Sequence, residues 1–471
     1  MRTNIRLTLA ASALALTTAV FAQRSNSSYF IEGNTMRHTL NPAFGGEYNY
    51  VSIPALGNFN LTSHGNFGLE NVFFTNSAGK LATYLHPDVQ WSDVEKGLKK
   101  NNKIREDIGI QILGGGFKAW GGYNTVALNA RTFVGLNVPY ELFDMTKNLQ
   151  NQNYSVGNVD ARAQAWAELA FGHSRNIDDH WRVGAKLKIL FGSGQFDAAL
   201  KELQLNIADP GHWTASGNAT VEANLKNWAW KTEVKEYEGL KTANNQPATY
   251  ETVTGVDDNY SFSPINGAGM AFDLGAEYDF KDIVPGLKLS LAFLDLGFIR
   301  WKNNVVAQNN GTPFDFYGFS NVQVNDGPGV AFEDQKNQMV DDLTDLYRLN
   351  DMGNLGGKTK GLGATMNFGA EYALPQYKPL RFGFLSSTRI QGAYSWNEER
   401  FSANVAPLKW LDGGINFGIG SFGADFGWII NFHPKGFNFF IAMDHIMGKC
   451  SKQMIPLSSQ AQLSLGMSVT W

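Results

Sequence analysis

The sequence predicts an all-β chain: a transmembrane antiparallel β-barrel of about fourteen strands, preceded by a polar segment and carrying long loops with short helices at one end. Three observations predict it. Segment after segment alternates apolar and polar side chains with a period of two, the pattern of strands with one greasy face. Mean hydropathy is only −0.24, and after the first 22 residues no apolar run in the sequence approaches the ~20 residues of a membrane-crossing helix. Where Lys and Arg enter the alternating segments they lie opposite the apolar face, as expected when alternate residues meet lipid and their neighbours look into a lumen.

Composition agrees. The 50 glycines and the 13% aromatic share suit tight turns, kinked strands and interfacial girdles. A net charge of −4 is too small to point to nucleic acid or an acidic substrate. Cys450 stands alone, so neither a disulfide within the chain nor a Cys-based metal site is expected. The eight histidines show no metal-ligand spacing, and no metal or cofactor is expected.

At the N-terminus, Arg2 and Arg6 precede an apolar core over 7–20, and Val20-Phe21-Ala22 fits a cleavage site; residues 1–22 read as a signal peptide. An uncleaved anchor is the alternative, for which the run is short. Residues 23–48 form a polar, turn-rich segment containing Asn41-Pro42-Ala43-Phe44, at its simplest an Asn-Pro turn. Residues 49–471 are assigned to the barrel.

The first strand is expected over 50–62, with Val51, Ile53, Ala55, Phe59 and Leu61 on one face. A long excursion over 63–106 follows, then a hairpin of 107–117 and 119–138 around a Gly-rich turn. In its second strand Val126, Leu128, Ala130, Thr132, Val134 and Leu136 face out, leaving Asn129, Arg131 and Asn137 inside. Pro139 stops that strand, and 140–149 is helical. Over 160–171 a row of alanines opposes Arg162, Gln164, Trp166 and Glu168; over 181–191 an apolar row opposes Arg182, Lys186 and Lys188. A Lys or Arg facing lipid at mid-membrane costs about 2 to 4 kcal/mol, which sends these charges to the lumen.

Residues 196–225 alternate less cleanly and read as a hairpin above the membrane; counting it gives sixteen strands, omitting it fourteen. Residues 227–263 read as loop. Gly269-Met270-Ala271-Phe272-Asp273-Leu274-Gly275-Ala276-Glu277-Tyr278 is echoed by Gly363-Ala364-Thr365-Met366-Asn367-Phe368-Gly369-Ala370-Glu371-Tyr372, each strand placing acids (Asp273 and Glu277, then Glu371) inward. The alternation slips by one residue near Asp295, the sign of a bulge. Residues 302–358 form the largest excursion, with helical spacing over 332–349. From 411 to the end, strands follow one another with short links, and Trp471 closes the last, at the membrane interface. All the short turns fall on one side and all the long excursions on the other, as outer-membrane barrels require.

A last strand ending on an aromatic residue resembles the C-terminal signal of bacterial outer-membrane proteins. The Asn41-Pro42-Ala43-Phe44 box just before the first strand resembles that of FadL-like outer-membrane barrels. Together with the Gly275-Ala276-Glu277-Tyr278 strand and the Asp295-Leu296-Gly297-Phe298-Ile299-Arg300-Trp301 stretch, the chain resembles a FadL-like, DUF5723-like family of Bacteroidetes barrels over most of its mature length. The resemblance implies fourteen strands, a hatch folded back into the lumen, residence in the outer membrane of a Gram-negative bacterium, and passive passage of small hydrophobic molecules.

Gly114-Gly115-Gly116 lacks the Lys-Ser/Thr of a phosphate loop and reads as a kink or turn. Asp444-His445 lacks a nucleophile motif, and neighbours on a strand point apart; no enzyme is expected. The lumen set, Arg131, Arg162, Glu168, Arg182, Lys186, Lys188, Asp273, Glu277 and Glu371, carries both signs and suits pairing around a hatch. Three readings stand at this point: a channel for apolar molecules, a non-transporting scaffold for a surface or secretion complex, and a secreted soluble β protein. The expected partners are outer-membrane lipid and, for the channel, an apolar small molecule; no protein partner is identified.

Overall fold

Alternation produces strands, and the strands close on themselves. The computed structural model describes residues 25–148, 152–206, 214–241, 244–257, 259–263, 265–309, 314–315, 349–445 and 460–471. The expected leader over 1–22, Cys450 and nearly all of the helix expected over 332–349 lie outside them.

Fourteen antiparallel strands form the ring: β1 (Tyr50–Ser52 and Phe59–Gly65), β2 (Asn101–Ala119), β3 (Gly122–Pro139), β4 (Val159–Asn176), β5 (Trp181–Asn206), β6 (Gly267–Asp279), β7 (Leu287–Trp301), β8 (Lys358–Gly361 with Ala364–Ala373), β9 (Leu380–Ile390), β10 (Trp396–Leu408), β11 (Leu411–Gly420), β12 (Gly423–Phe432), β13 (Phe437–Met443) and β14 (Ala461–Thr470). β14 pairs with β13 on one side and with both pieces of β1 on the other, which closes the ring. Closure leaves no open edge, the condition for a sheet to sit in lipid.

The ring is inside out relative to a water-soluble fold. Phe272, Phe368, Phe401, Phe417 and Ile430 are exposed on the outer face, while Asp273, Glu371, Arg400, Asn416 and Asn431 on the same strands are buried inside. So broad an exposed apolar belt around a charged interior is stable only with acyl chains as the outer solvent, which removes the reading as a soluble secreted protein. Tyr48, Trp120, Trp181, Tyr377, Trp410 and Trp471 are exposed together around the short-turn end, where amphipathic rings suit the membrane–water boundary. Backbone bonds Asn49–Trp471 in both directions pin the last residue to the start of β1.

Several sequence expectations are corrected. The first strand is not continuous: Ile53 to Asn58 leave the ladder, with Ala55 at φ +61°, because Pro54 has no N–H to donate. The break is sealed by backbone bonds from Ile53 to Met467 and from Ala55 to Ile112. Gly114, Gly115 and Gly116 lie within β2 rather than in a turn; the turn is Trp120-Gly121, both at positive φ. Residues 227–263 contain a hairpin, Trp230–Lys241 with Pro247–Val256, whose exposed charges conceal its period. At Asp295, φ is +60° and the β6–β7 register shifts there, a bulge as expected.

β5 is 26 residues long and runs on beyond the ring. Its far half pairs with Thr214–Asn224, which continues to Val305–Gln308 and thence to Asn350–Asn354. This sheet stands on the loop end and packs its own core of Leu203, Leu205, Val221, Trp228, Trp230 and Val253. A second small core, with Phe67, Tyr84, Val94, Leu98 and Phe143, lies under the 66–100 excursion and the helix α1 (Tyr140–Lys147).

Candidate functional site

The inward residues of β5, two apart and so about 6.6 Å from one to the next, read out the levels of the lumen. Arg182 donates to the carbonyl of Gly45 at 3.3 Å. Gly184 faces the carbonyl of Pro42. Lys186 donates to the carbonyl of His38 at 3.1 Å. Lys188 meets Asp273 and Asp295, and Leu190 and Gly192 lie against aromatic rings. A plug, a layer of ion pairs and an apolar layer therefore succeed one another from the short-turn end upward.

The plug is residues 25–46, and its bonds reach strands all round the ring. Ser25, Asn26 and Ser27 converge on Asp444, whose carboxylate accepts from the backbone N–H of Asn26 (2.6 Å) and Ser27 (2.7 Å) and from both serine hydroxyls. Glu32 takes Arg381 at 2.5 Å and Lys288 at 3.3 Å. Gly33 donates to Asp412 and accepts from Asn438. Tyr29 meets Ser290 at 3.0 Å, and Asn367 holds the carbonyl of Leu40.

Asn41 forms the turn expected of Asn-Pro, its Oδ1 accepting from the N–H of Ala43 at 2.9 Å. The box rests against Gly184 and Gly275; a Cβ on Gly184 would lie 2.2 Å from the Pro42 carbonyl, and one on Gly275 2.0 Å from Asn41 Oδ1. Phe44 packs on Tyr29, with the Arg37 guanidinium 4.3 Å from its ring centre. Gly369 and Gly383 make the same kind of room for the rings of Tyr29 and Phe30.

Above the plug, Lys188 lies 2.6 Å from Asp273 and 2.5 Å from Asp295, all three almost wholly buried. Arg131 reaches Asp295 at 3.0 Å and Glu168 at 3.4 Å, and Arg389 reaches Asp295 at 3.6 Å. Three cations and three anions from six strands balance, which is what allows them to be buried. A cavity of 60 Å³, lined by the polar side chains of His38, Asn60, Gln111, Asn129 and Lys186 among others, lies between plug and ion pairs, large enough to hold water.

Next come Phe133, Trp166, Leu190, Ile299, Trp301 and Tyr394, buried inside the ring. A mouth cavity of 750 Å³ opens over Tyr394 and is rimmed by Arg162, Asp197, Glu222 and Lys360. Arg162 pairs with Asp197, Lys360 with Asp197 and Glu222, and Lys358 with Glu222. Burial opposes ionisation of Glu222, but hydrogen bonds from Lys358 and Lys360 outweigh it and hold the carboxyl below its ordinary value.

All nine residues expected in the lumen lie on the inner face, but at different levels. Arg182, Lys186, Glu277 and Glu371 sit at the plug; Lys188, Asp273, Arg131 and Glu168 form the ion layer; Arg162 lines the mouth. Sequence reasoning missed Asp295, Arg389, Asp412 and Asp444. Asp295 was available from the bulge that turns it inward, and Asp412 from the inward parity of β11. Asp444 and His445 lie past the end of β13, so the strand rule that would send them apart does not apply: both are buried, Asp444 holding the plug and His445 beside Asp425 at 2.9 Å.

The model of a family described as "Family of unknown function (DUF5723)" matches residues 42–444. The chain belongs to this family. The matched span of this DUF5723 member begins at Pro42, inside the plug's turn, and takes in thirteen of the fourteen strands. No curated protein matches it in sequence. Similar solved structures include the Ralstonia pickettii toluene transporter TbuX, 8% identical over 92% of each chain with a TM-score of 0.37. They also include the Pseudomonas putida toluene transporter TodX, 7% identical over 91% of this chain and 90% of that one at 0.33. A Pseudomonas aeruginosa FadL homologue is 10% identical over 96% and 99% at 0.38. At these scores the likenesses add nothing to the architecture, which rests on the hydrogen-bonded ring itself.

Proposed function

We propose that the protein is a FadL-like passive channel of a Gram-negative outer membrane, carrying small hydrophobic molecules and closed by residues 23–48 acting as a hatch. One observation carries the reading: residues 25–46 occupy the lumen and are held there by side-chain bonds and glycine shelves rather than by strand pairing. A segment held in this way can shift without opening the ring. The apolar layer of Phe133, Trp166, Leu190, Ile299 and Trp301 beneath the mouth cavity supplies the dry surface an apolar solute needs on entry.

A second reading has its own support. The sheet standing on the loop end has a separate core, as a surface that docks another protein would need, and a tightly filled lumen suits a barrel that anchors rather than transports. Mass spectrometry of lipid extracts from the purified protein separates the two. A reproducible apolar ligand, lost on replacing Trp166 and Leu190 by Ser, supports the channel; extracts containing only bulk membrane lipid sink it in favour of the scaffold.

A further inference from the structure

The sequence spacing of the histidines gives no metal site, yet the fold brings three ligand-bearing residues together. His64 at the end of β1, Asp425 on β12 and His445 just past β13 present nitrogen or oxygen atoms that all lie within 4.8 Å of one another. His64 and His445 are buried, their rings 4.6 Å apart. The Nδ1 of His445 is 2.9 Å from Asp425 Oδ2, so a buried ring nitrogen and a carboxylate oxygen already face each other.

We propose that His64, Asp425 and His445 bind a divalent transition-metal ion of the zinc class inside the lumen. Two imidazoles and one carboxylate are the donor set that suits zinc and its first-row neighbours rather than magnesium or calcium. Ligand atoms about 2.1 Å from zinc and 2.9 Å apart subtend about 90° at the ion, an angle open to a four- or five-coordinate site. Atoms sharing one ion lie no more than about 4.2 Å apart, and the three ligand atoms, all within 4.8 Å of one another, need at most a small side-chain adjustment to meet that span.

The surrounding charge permits a cation. Arg400 is taken up by Glu398, Asn416 and the Asp444 carbonyl, and Arg105 by Asp107, with its guanidinium over the rings of Phe133 and Trp396. Asp425 and Asp444 leave excess negative charge beside the site. The edges of Trp396 and Phe422 against His64 keep bulk water from it. Three protein ligands leave a coordination position for water, and the ion would tie together β1, β12 and the residue next to the Asp444 carboxylate. This inference rests on the ring alone, not on transport.

The test uses full-length protein in detergent, free of affinity tags and stripped with EDTA, titrated with Zn²⁺ by calorimetry. One equivalent is expected to bind, weakened at least tenfold by His64→Gln and by Asp425→Asn in protein that keeps the heat-modifiable gel shift of a folded barrel. No binding, or equal binding in both variants, overturns the proposal. Zinc-edge X-ray absorption of the wild-type protein needs no variant: scattering from two imidazoles is expected, and an oxygen-only shell overturns the site.

Discussion

Gly184 and Gly275 face each other across the β5–β6 ladder, and the Asn41-Pro42-Ala43 turn lies on the shelf they leave. Neither position tolerates a Cβ without displacing that turn. The echo between the two Gly-Ala-Glu-Tyr strands has a physical reason here: Gly275 makes room for Asn41, Gly369 makes room for Tyr29, and Glu277 and Glu371 add negative charge around Arg37 and Lys288 nearby.

Gly275→Val is therefore expected to dislodge the plug while the ring persists, since overpacking costs about 1 to 3 kcal/mol and the plug is the part able to move. Protease cleavage within 25–46 should rise several-fold with the heat-modifiable band unchanged. Unaltered protection would mean that the shelf does not hold the segment.

Asp444 gathers bonds from Ser25, Asn26 and Ser27, and hydrogen bonds to a charged group contribute about 1.5 to 3 kcal/mol each. In Asp444→Ala, a spin label at Ser25 should change from an immobilised to a mobile spectrum. Persistent immobilisation would show that the lower contacts suffice.

Lys188 is the cation shared by Asp273 and Asp295. Lys188→Met leaves the layer one positive charge short, and breaking such a buried pair costs about 3 to 5 kcal/mol. Urea unfolding in detergent measures this, and adding Asp273→Leu should restore part of the loss. A double variant weaker than the sum of the single ones contradicts the pairing.

At the mouth, the Glu222 carboxyl is held below its ordinary value by Lys358 and Lys360 against the effect of burial. A depressed carboxyl stabilises above the unfolded value, about 4.3, and its contribution is lost as pH falls through the lower folded value. Hydrogen exchange in Thr214–Asn224 and Lys358–Gly361, corrected for intrinsic rates, should stay flat from about pH 7 to 5 and accelerate only below about pH 4. Acceleration already above pH 5 rules out this linkage.

Phe417 on the outer face and Asn416 on the inner one are chain neighbours with opposite surroundings. Phe417→Arg should cost about 2 to 4 kcal/mol of barrel stability in lipid. A loss below about 1 kcal/mol, as at an interfacial site, would place that residue outside the hydrocarbon.

How much of this was legible depends on period and depth. The ring was readable because two-residue alternation fixes which face meets lipid, and Lys186 and Lys188 then fix the register. The plug was marked by Asn41-Pro42-Ala43, but its glycine shelves were not, since an inward glycine looks like any strand glycine until the partner's position is known. The break at Ile53 to Asn58 was missed because apolar residues continue through Pro54. The hairpin at Trp230–Lys241 was missed because its lysines and glutamates mask the period. His64 lies hundreds of residues before Asp425 and His445 and meets them only because β1 and the last strands close the ring.

The most direct test is the conductance of planar bilayers holding either the mature chain or the chain without residues 23–46, each first checked for the heat-modifiable band. A lumen filled by this segment should give a closed or barely conducting mature protein and a steady, larger conductance once the segment is gone. Equal conductance from two intact barrels would contradict it.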